Sequence, residues 1–353
     1  MRENGNRKTK ILHLLRSDSF SGAENVVCQI INLFRDDQVE MVYCSPDGEI
    51  IKSLQEHNIT FRPLKRFCIN EIRRVVKEYK PDIIHAHDIS ASVASALMIG
   101  NVRIISHMHV NHQNMRGMNL RTFLFLLCSM RFEHIYWVSR SAFSNYRFSK
   151  WISGKSSILY NIIDQDTIYK RVCQDPNTYD HDIIYIGRLT YQKNPQKLLR
   201  VLSMVIRDKP DTRVLIVGNG DLLEECRCLV VELGLDSNVT FLGFRDNPLK
   251  MLRDAKVMIL TSRFEGTPMC ALEAMALGVP VVSTPIDGLI DLVENGITGF
   301  LSDDEIEMAK LVLELISNSQ KHIRFSNNSL KRFEILNNMK AYKKELKNIY
   351  FDS

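Results

Sequence analysis

Short runs rich in Ile and Val alternate with longer amphipathic segments from one end of the chain to the other, and this alternation restricts the fold more than any other feature. A strand covered on both faces reads as a continuous apolar run, and parallel neighbours need a crossover long enough to hold a helix. The pattern therefore predicts βα units and parallel sheets, an α/β fold. Strands are expected at Lys10–Leu15, Glu40–Cys44, Thr60–Pro63, Asp82–His85, Arg103–Ser106, His134–Val138 and Ser157–Tyr160. A second series is expected at Asp182–Ile186, Arg213–Val217, Asn238–Leu242, Val257–Leu260, Val279–Ser283 and Thr298–Leu301. At 353 residues the chain is long enough for two domains, each with its own core. Residues 1–164 are read as a first Rossmann-like domain, the polar stretch 165–181 as a linker and 182–330 as a second such domain. The tail from 304 to 351 is expected to form one or two amphipathic helices, with 331–353 as a C-terminal helix packing back on the first domain.

A chain with 45% apolar and 25% charged residues has enough apolar material for packed cores, which excludes a disordered protein. No apolar run reaches the length of a membrane span; Thr122 to Met130 comes nearest. The polar, basic first ten residues do not read as a signal peptide, so a cytoplasmic location is expected. The eight cysteines lack CxxC spacing, which argues for reduced thiols and against a zinc site or disulfide framework.

Three strand ends carry residue types suited to an anionic ligand. In open α/β sheets, ligands gather where strands end and helix N-termini present free N–H groups. After the strand Val257–Leu260 comes Arg263-Phe-Glu265-Gly-Thr-Pro-Met-Cys-Ala-Leu-Glu273, in which Thr267 reads as an N-cap and Pro268 as the first helical residue. Glu265 then precedes the helix and Glu273 lies on its second turn, so the pair can serve one elongated ligand. A carboxylate of this kind can hold the vicinal hydroxyls of a ribose. The alternative is a helix-capping Glu265 and a solvated Glu273. Gly187-Arg188 and Lys193-Asn194-Pro195 place two cations at another strand end, with Asn194 as cap, which suits a diphosphate. A charged surface loop is the alternative there. Gly218-Asn-Gly220 adds a glycine-rich third strand end, but Leu223 stands where a dinucleotide fingerprint has its last glycine, which disfavours a nicotinamide or flavin cofactor.

Taken in order, Arg188 with Lys193, Gly218-Asn-Gly220, Phe241-Leu-Gly243-Phe, Glu265 to Glu273, Ala276-Leu-Gly278-Val-Pro280 and Asn295-Gly-Ile-Thr-Gly299 resemble the family 4 retaining glycosyltransferases. The first half resembles them more loosely, through Ser21-Gly22-Ala23-Glu24, His85-Ala-His87, Ser106-His-Met-His109, Val138-Ser139 and Tyr160-Asn161. The resemblance implies the GT-B fold, two Rossmann-like doubly wound domains facing across a cleft. It implies a donor site in which Arg188 and Lys193 neutralise a diphosphate and Glu273 holds the ribose. Glu265, Gly266, Thr267, Pro268 and Met269 would position the transferred sugar, and Gly22 would approach the diphosphate from the other domain. Gly218 joins this donor-binding set. The donor is expected to be a UDP-sugar, a substrate and not a cofactor, and no metal is expected. Of the histidines, His109 is expected nearest the sugar, with His107 second. Two positions depart from the family pattern: Asp287 stands before Gly288, and Ser21 before Gly22, where a second glycine is common.

Charge is uneven: residues 1–180 carry 24 basic and 18 acidic side chains, and within them 101–155 hold eight basic residues against Glu133 alone. Together with the apolar Arg116–Arg131 segment, this predicts peripheral contact with an anionic membrane surface on the inner face of the cell membrane, suited to a glycan on a lipid carrier. A core helix with solvated ends, and a soluble acceptor, are the alternatives. A nucleic-acid partner is disfavoured because the basic residues lack an interleaved stacking platform, and no obligate protein partner is apparent. An epimerase on the same fold and a non-catalytic nucleotide-sugar-binding or scaffold protein are the competing functions.

Overall fold

The computed structural model describes residues 7–98, 100–109 and 115–351, the side chain of Asp287 apart. It divides into two compact units, one of residues Met1–Asn161 with Met339–Ser353 and one of Ile162–Asn338.

Among the described residues, the first unit is built on seven parallel strands: β1 (Thr9–Leu14), β2 (Val39–Pro46), β3 (Phe61–Leu64), β4 (Ile83–Ala86), β5 (Arg103–Met108), β6 (His134–Trp137) and β7 (Ser156–Ile158). They lie in the order β3-β2-β1-β4-β5-β6-β7. The second has six parallel strands, β8 (Ile183–Ile186), β9 (Val214–Val217), β10 (Val239–Gly243), β11 (Val257–Leu260), β12 (Val281–Ser283) and β13 (Gly299–Leu301), in the order β10-β9-β8-β11-β12-β13. All the expected strands are present, each within two residues of its predicted limits. Both orders reverse direction once, between β1 and β4 and between β8 and β11. A doubly wound sheet opens its ligand crevice at that reversal.

The cores follow from the apolar runs. In the first unit Leu12, Leu14, Val42, Ile72, Val75 and Ile84 pack on one face of the sheet, while Ile104, Phe125, Phe132, Ile135, Trp137 and Tyr146 pack in a separate cluster. In the second, Leu198, Leu202 and Val205 from the helix Pro195–Asp208 meet β8, β9 and Val312.

Three expectations are corrected here. The stretch 165–181 is not simply a connector: Gln165–Gln174 is a helix, capped by the Asp164 carboxylate on the N–H groups of Asp166 and Thr167, and its Ile168 and Val172 are buried. Its Pro and Asn residues lie beyond the helix end, so breaker composition marked only the second half. The tail holds three helices rather than one or two, Glu305–Ser317, Ser319–Leu336 and Met339–Phe351. The cap side chains of Asp304 and Asn318 restart the chain as helix each time. The last of these helices belongs to the first unit, where Tyr342, Leu346 and Tyr350 are buried and Lys343 and Lys347 pair with Asp37. The third correction concerns the helix after β11. It runs Met269–Ala276, and the extended Pro268 (φ −68°, ψ 121°), not Thr267, occupies its cap. Proline lacks the N–H that the first turn leaves unpaired, so it fits there as well as one place later.

All eight cysteines are free. Among the described residues, no helix is long and apolar enough to cross a membrane.

Candidate active site

The loops that follow β8, β9, β11 and β12 are fastened to one another at the carboxyl edge of the second sheet. Leaving β8, Gly187 N–H donates to Val217 (3.0 Å), Leu189 N–H to Asn219 (2.9 Å) and Leu222 N–H back to Leu189 (2.9 Å). The glycines of Gly218-Asn-Gly220 make this approach possible. A Cβ on Gly218 would stand 2.0 Å from the Gly187 oxygen, and one on Gly220 2.3 Å from the Leu189 oxygen. The glycine pair is thus a packing requirement between two strand ends, and Gly218 also holds φ at 138°, where side chains are rarely found.

The β11 loop is tied to the β8 loop by Arg263 N–H on the Gln192 carbonyl (2.8 Å) and by Gln192 Nε2 on the Phe264 carbonyl (3.0 Å). At the centre of this frame Lys193 is ion-paired with Glu265, their side chains only 12% and 8% exposed. Ser262 Oγ donates to the same Glu265 oxygen at 2.7 Å. Burial penalises the Lys193 ammonium, but the adjacent Glu265 charge and hydrogen bond outweigh that penalty and hold its pKa above the usual lysine value. Arg188 is exposed beside them and reaches Gln192 Oε1 at 3.4 Å. Asn194 takes a left-handed conformation (φ 51°) before the helix Pro195–Asp208, and Arg263 rests its guanidinium over the Tyr191 ring, 4.5 Å from the centroid. The cations of the β8 loop and the first glutamate of the β11 loop thus form one cluster.

Glu273 lies five positions into the helix Met269–Ala276 and is only partly exposed. Its carboxylate has no hydrogen-bond partner among the described residues. Burial raises its pKa above the ordinary carboxylate value, and the charge of Arg171 only partly offsets this. A desolvated carboxylate without partners is an acceptor ready for hydroxyl groups. From the β12 side, Gly288 N–H donates to the Gly266 oxygen at 2.9 Å, and a Cβ at 288 would fall 1.9 Å from that oxygen. Asp287-Gly288 therefore keeps the glycine that the 265–269 loop needs, while the Asp287 side chain lies outside the described residues. Thr284 Oγ1 completes the frame on the Ser262 carbonyl (2.7 Å). Gln192, Ser262 and Gly288 were not among the expected site residues; each acts through a contact between loops distant in sequence.

In the first unit, Gly22 opens the helix Gly22–Leu33, which β1 reaches through the loop 15–21. Glu24 accepts from Ser21 N–H (3.0 Å) and Oγ (2.5 Å), so Ser21 serves as a cap. His109 follows β5 and is 8% exposed, with Nε2 2.9 Å from His87 Nδ1; Nδ1 is buried without a partner among the described residues. The ring faces a cluster of His13, His85, His87 and His107, all essentially inaccessible. His13 is an addition that the His-x-His pairs on β4 and β5 did not disclose.

The basic stretch 101–155 is less free than its composition implies, and residues 110–114 of it lie outside the described residues. Arg103 pairs with Glu133 at 2.5 Å, Arg131 donates to the Ala96, Met98 and Gly100 carbonyls, and Lys155 to those of Ser129 and Phe132. The helix Leu120–Ser129 buries Thr122, Phe125 and Cys128 but exposes Leu120, Phe123 and Leu127, with Met130 beyond them on the same face.

Sequence comparison identifies the class that this fold and site belong to. Residues 20–167 match the family profile Glycosyltransferase Family 4, and residues 171–332 match Glycosyl transferases group 1. The chain belongs to the family 4 glycosyltransferases. It is 25% identical over 366 residues to the capsular polysaccharide biosynthesis glycosyltransferase CapH of Staphylococcus aureus, covering 97% of this chain and 98% of that one. An uncharacterised glycosyltransferase of Methanocaldococcus jannaschii is 26% identical over 64% of this chain, and the alignment spans only 60% of that relative's length. Two further relatives are matched over 30% and 24% of theirs. Among solved structures, Anabaena HepE in complex with UDP and glucose superposes with a TM-score of 0.85 over 97% of this chain and 99% of that one, at 20% identity, a likeness of fold.

Proposed function

We propose that the protein is a retaining glycosyltransferase that passes a hexose or N-acetylhexosamine from a UDP-sugar to a glycan or lipid-linked oligosaccharide of cell-surface polysaccharide biosynthesis. The observation that carries this reading is the partly buried Glu273, without a hydrogen-bond partner among the described residues, on the helix that follows the Lys193–Glu265 cluster. Glu273 accepts the ribose hydroxyls. Arg188 and Lys193 face the diphosphate, and Glu265 with the N–H groups of the 266–269 loop orients the sugar. As the glycosidic bond breaks, negative charge grows on the β-phosphate, and fixed cations with a helix N-terminus stabilise that charge more than the ground state. The diphosphate then needs no metal counter-ion, and the leaving phosphate can itself take the acceptor proton, which keeps reaction on one face of the sugar. UDP is favoured as the nucleotide by the likeness to HepE, solved with UDP and glucose, and a polysaccharide acceptor by the similarity to CapH.

Peripheral membrane contact through the exposed face of Leu120, Phe123, Leu127 and Met130 fits a lipid-borne acceptor, with Arg121, Arg140, Arg147 and Lys150 nearby in sequence to meet anionic headgroups.

The test is thermal-shift binding of UDP, GDP, ADP and CMP to wild type, Glu273→Ala and Arg188→Ala, with chelator present. Stabilisation by UDP alone, lost in both variants, is expected. Failure of every nucleotide to stabilise the wild type would leave a scaffold as the better description.

A further inference from the structure

Among its described residues, the first unit has five buried histidines at the carboxyl ends of three adjacent central strands. The cause is register: His13 on β1 lies beside His85 on β4, and β4 pairs with β5 so that His87 and His107, two residues further along, become neighbours. Because residues two apart share a face of the sheet, His85-Ala-His87 and His107-Met-His109 aim all four rings to one side. The rings of His85 and His87 are stacked with centroids 4.2 Å apart, and those of His107 and His109 are tilted with centroids 4.1 Å apart.

Five imidazoles are poorly satisfied by one another. His13 Nδ1 meets His87 Nε2 at 2.9 Å, His87 Nδ1 meets His109 Nε2 at 2.9 Å, and His85 Nδ1 meets the Tyr350 hydroxyl at 2.7 Å. Both nitrogens of His107, Nε2 of His13 and His85, and Nδ1 of His109 are buried without a partner among the described residues. A buried polar atom left unpaired is destabilising, and a group of them calls for a missing partner. Burial also depresses the pKa of each ring, leaving neutral imidazoles with free lone pairs.

We propose that His87, His107 and His109 form a binding site for a divalent transition-metal ion of the zinc type. One ligand atom from each lies within 4.8 Å of the others. Two imidazole nitrogens on a tetrahedral zinc at roughly 2.0 Å stand about 3.3 Å apart. The 2.9 Å between His87 and His109 therefore needs to open by only a few tenths of an ångström. The donor set is all nitrogen and uncharged, which selects Zn2+, Cu2+, Ni2+ or Co2+ over Mg2+ or Ca2+. His13 is then the outer partner, accepting from His87 Nε2–H and fixing its tautomer. The alternative triplet His13, His85 and His87 also has nitrogens within reach, but it leaves His107 with no partner and is sealed from solvent. His109, 8% exposed, is the most accessible of the five rings. The proposal stands on the first unit alone and does not depend on the donor reading of the second.

The experiment is titration of the full chain, stripped with chelator, using Zn2+ by calorimetry and Co2+ by visible absorption. The variants are His107→Gln, His13→Gln, His85→Gln and His134→Gln, each checked for fold by circular dichroism. Expected are one Zn2+ per chain, a tetrahedral Co2+ spectrum, at least a hundredfold weaker binding in His107→Gln and roughly 10- to 100-fold weaker in His13→Gln. His85→Gln and His134→Gln should bind as wild type does. Absence of Zn2+ binding, or binding undiminished in a folded His107→Gln, overturns the proposal and leaves a hydrogen-bonded chain of neutral imidazoles. Loss in His85→Gln with none in His107→Gln overturns it in favour of the other triplet.

Discussion

Lowering the pH should unfold the first unit well before ordinary acid denaturation. The five rings of the histidine cluster are neutral in the fold, burial pushing His13 and His109 down to about 3 and the others well below the usual value. In the unfolded chain each takes up a proton below about pH 6.5. Because the folded pKa values are depressed, the stability these groups contribute is fully present above that pH and is lost as pH falls. One proton corresponds to about 1.4 kcal/mol per pH unit, so five remove about 7 kcal/mol per unit. A domain is stable by only about 5–15 kcal/mol, which places its collapse one to two units below pH 6.5, near pH 5. The assay is favourable: both tryptophans, Trp137 and Trp151, lie in the first unit, so their fluorescence follows that unit alone. Urea midpoints recorded by tryptophan emission of metal-stripped protein from about pH 7.5 to 5 should yield a slope approaching five protons. A slope of about one proton, or native emission at about pH 4, would refute the claim that the rings are buried and neutral.

Gly288→Ala should weaken UDP binding by about one to two orders of magnitude, because its Cβ must push the Gly266 oxygen back from 1.9 Å and displace the loop that orients the donor. Calorimetric titration with UDP measures it; Gly154→Ala, with open space around it, is the control, and equal affinities would contradict the placement. Removing either Lys193 or Glu265 alone should cost about 3–5 kcal/mol by stranding a buried charge, and Lys193→Met with Glu265→Leu should recover most of that. Circular dichroism of urea unfolding checks this, and simply additive losses would show the pair to be uncoupled. Leu120→Asp with Phe123→Asp should abolish co-flotation with phosphatidylserine vesicles while leaving UDP binding intact; undiminished flotation excludes that face as the membrane contact.

Much of the architecture was legible in the chain because buried parallel strands impose continuous apolar runs, and every strand expected on that ground between Lys10 and Leu301 is present. The donor-site candidates were legible for a related reason: strand ends need glycines and helix starts need caps, so the residues between them stand out. The sequence alone also brought Arg188, Lys193, Glu265 and Glu273 forward as candidates. It misplaced the cap at Thr267 because Thr and Pro are both favoured around a helix start, and only the backbone angle of Pro268 decides between them.

Tertiary structure decided what depends on register and on contacts between distant loops. The pairing of Lys193 with Glu265, and the requirement for glycine at 288 set by Gly266, join segments that local patterns treat as independent. Strand register brought His13 to the two His-x-His pairs and made five scattered histidines one buried cluster. Composition counted Arg103, Arg131 and Lys155 as surface charge, yet the fold engages them with Glu133 and with backbone carbonyls. Charge and periodicity are properties of the chain, whereas the partner that satisfies a polar group is fixed only when strands and loops remote in sequence meet.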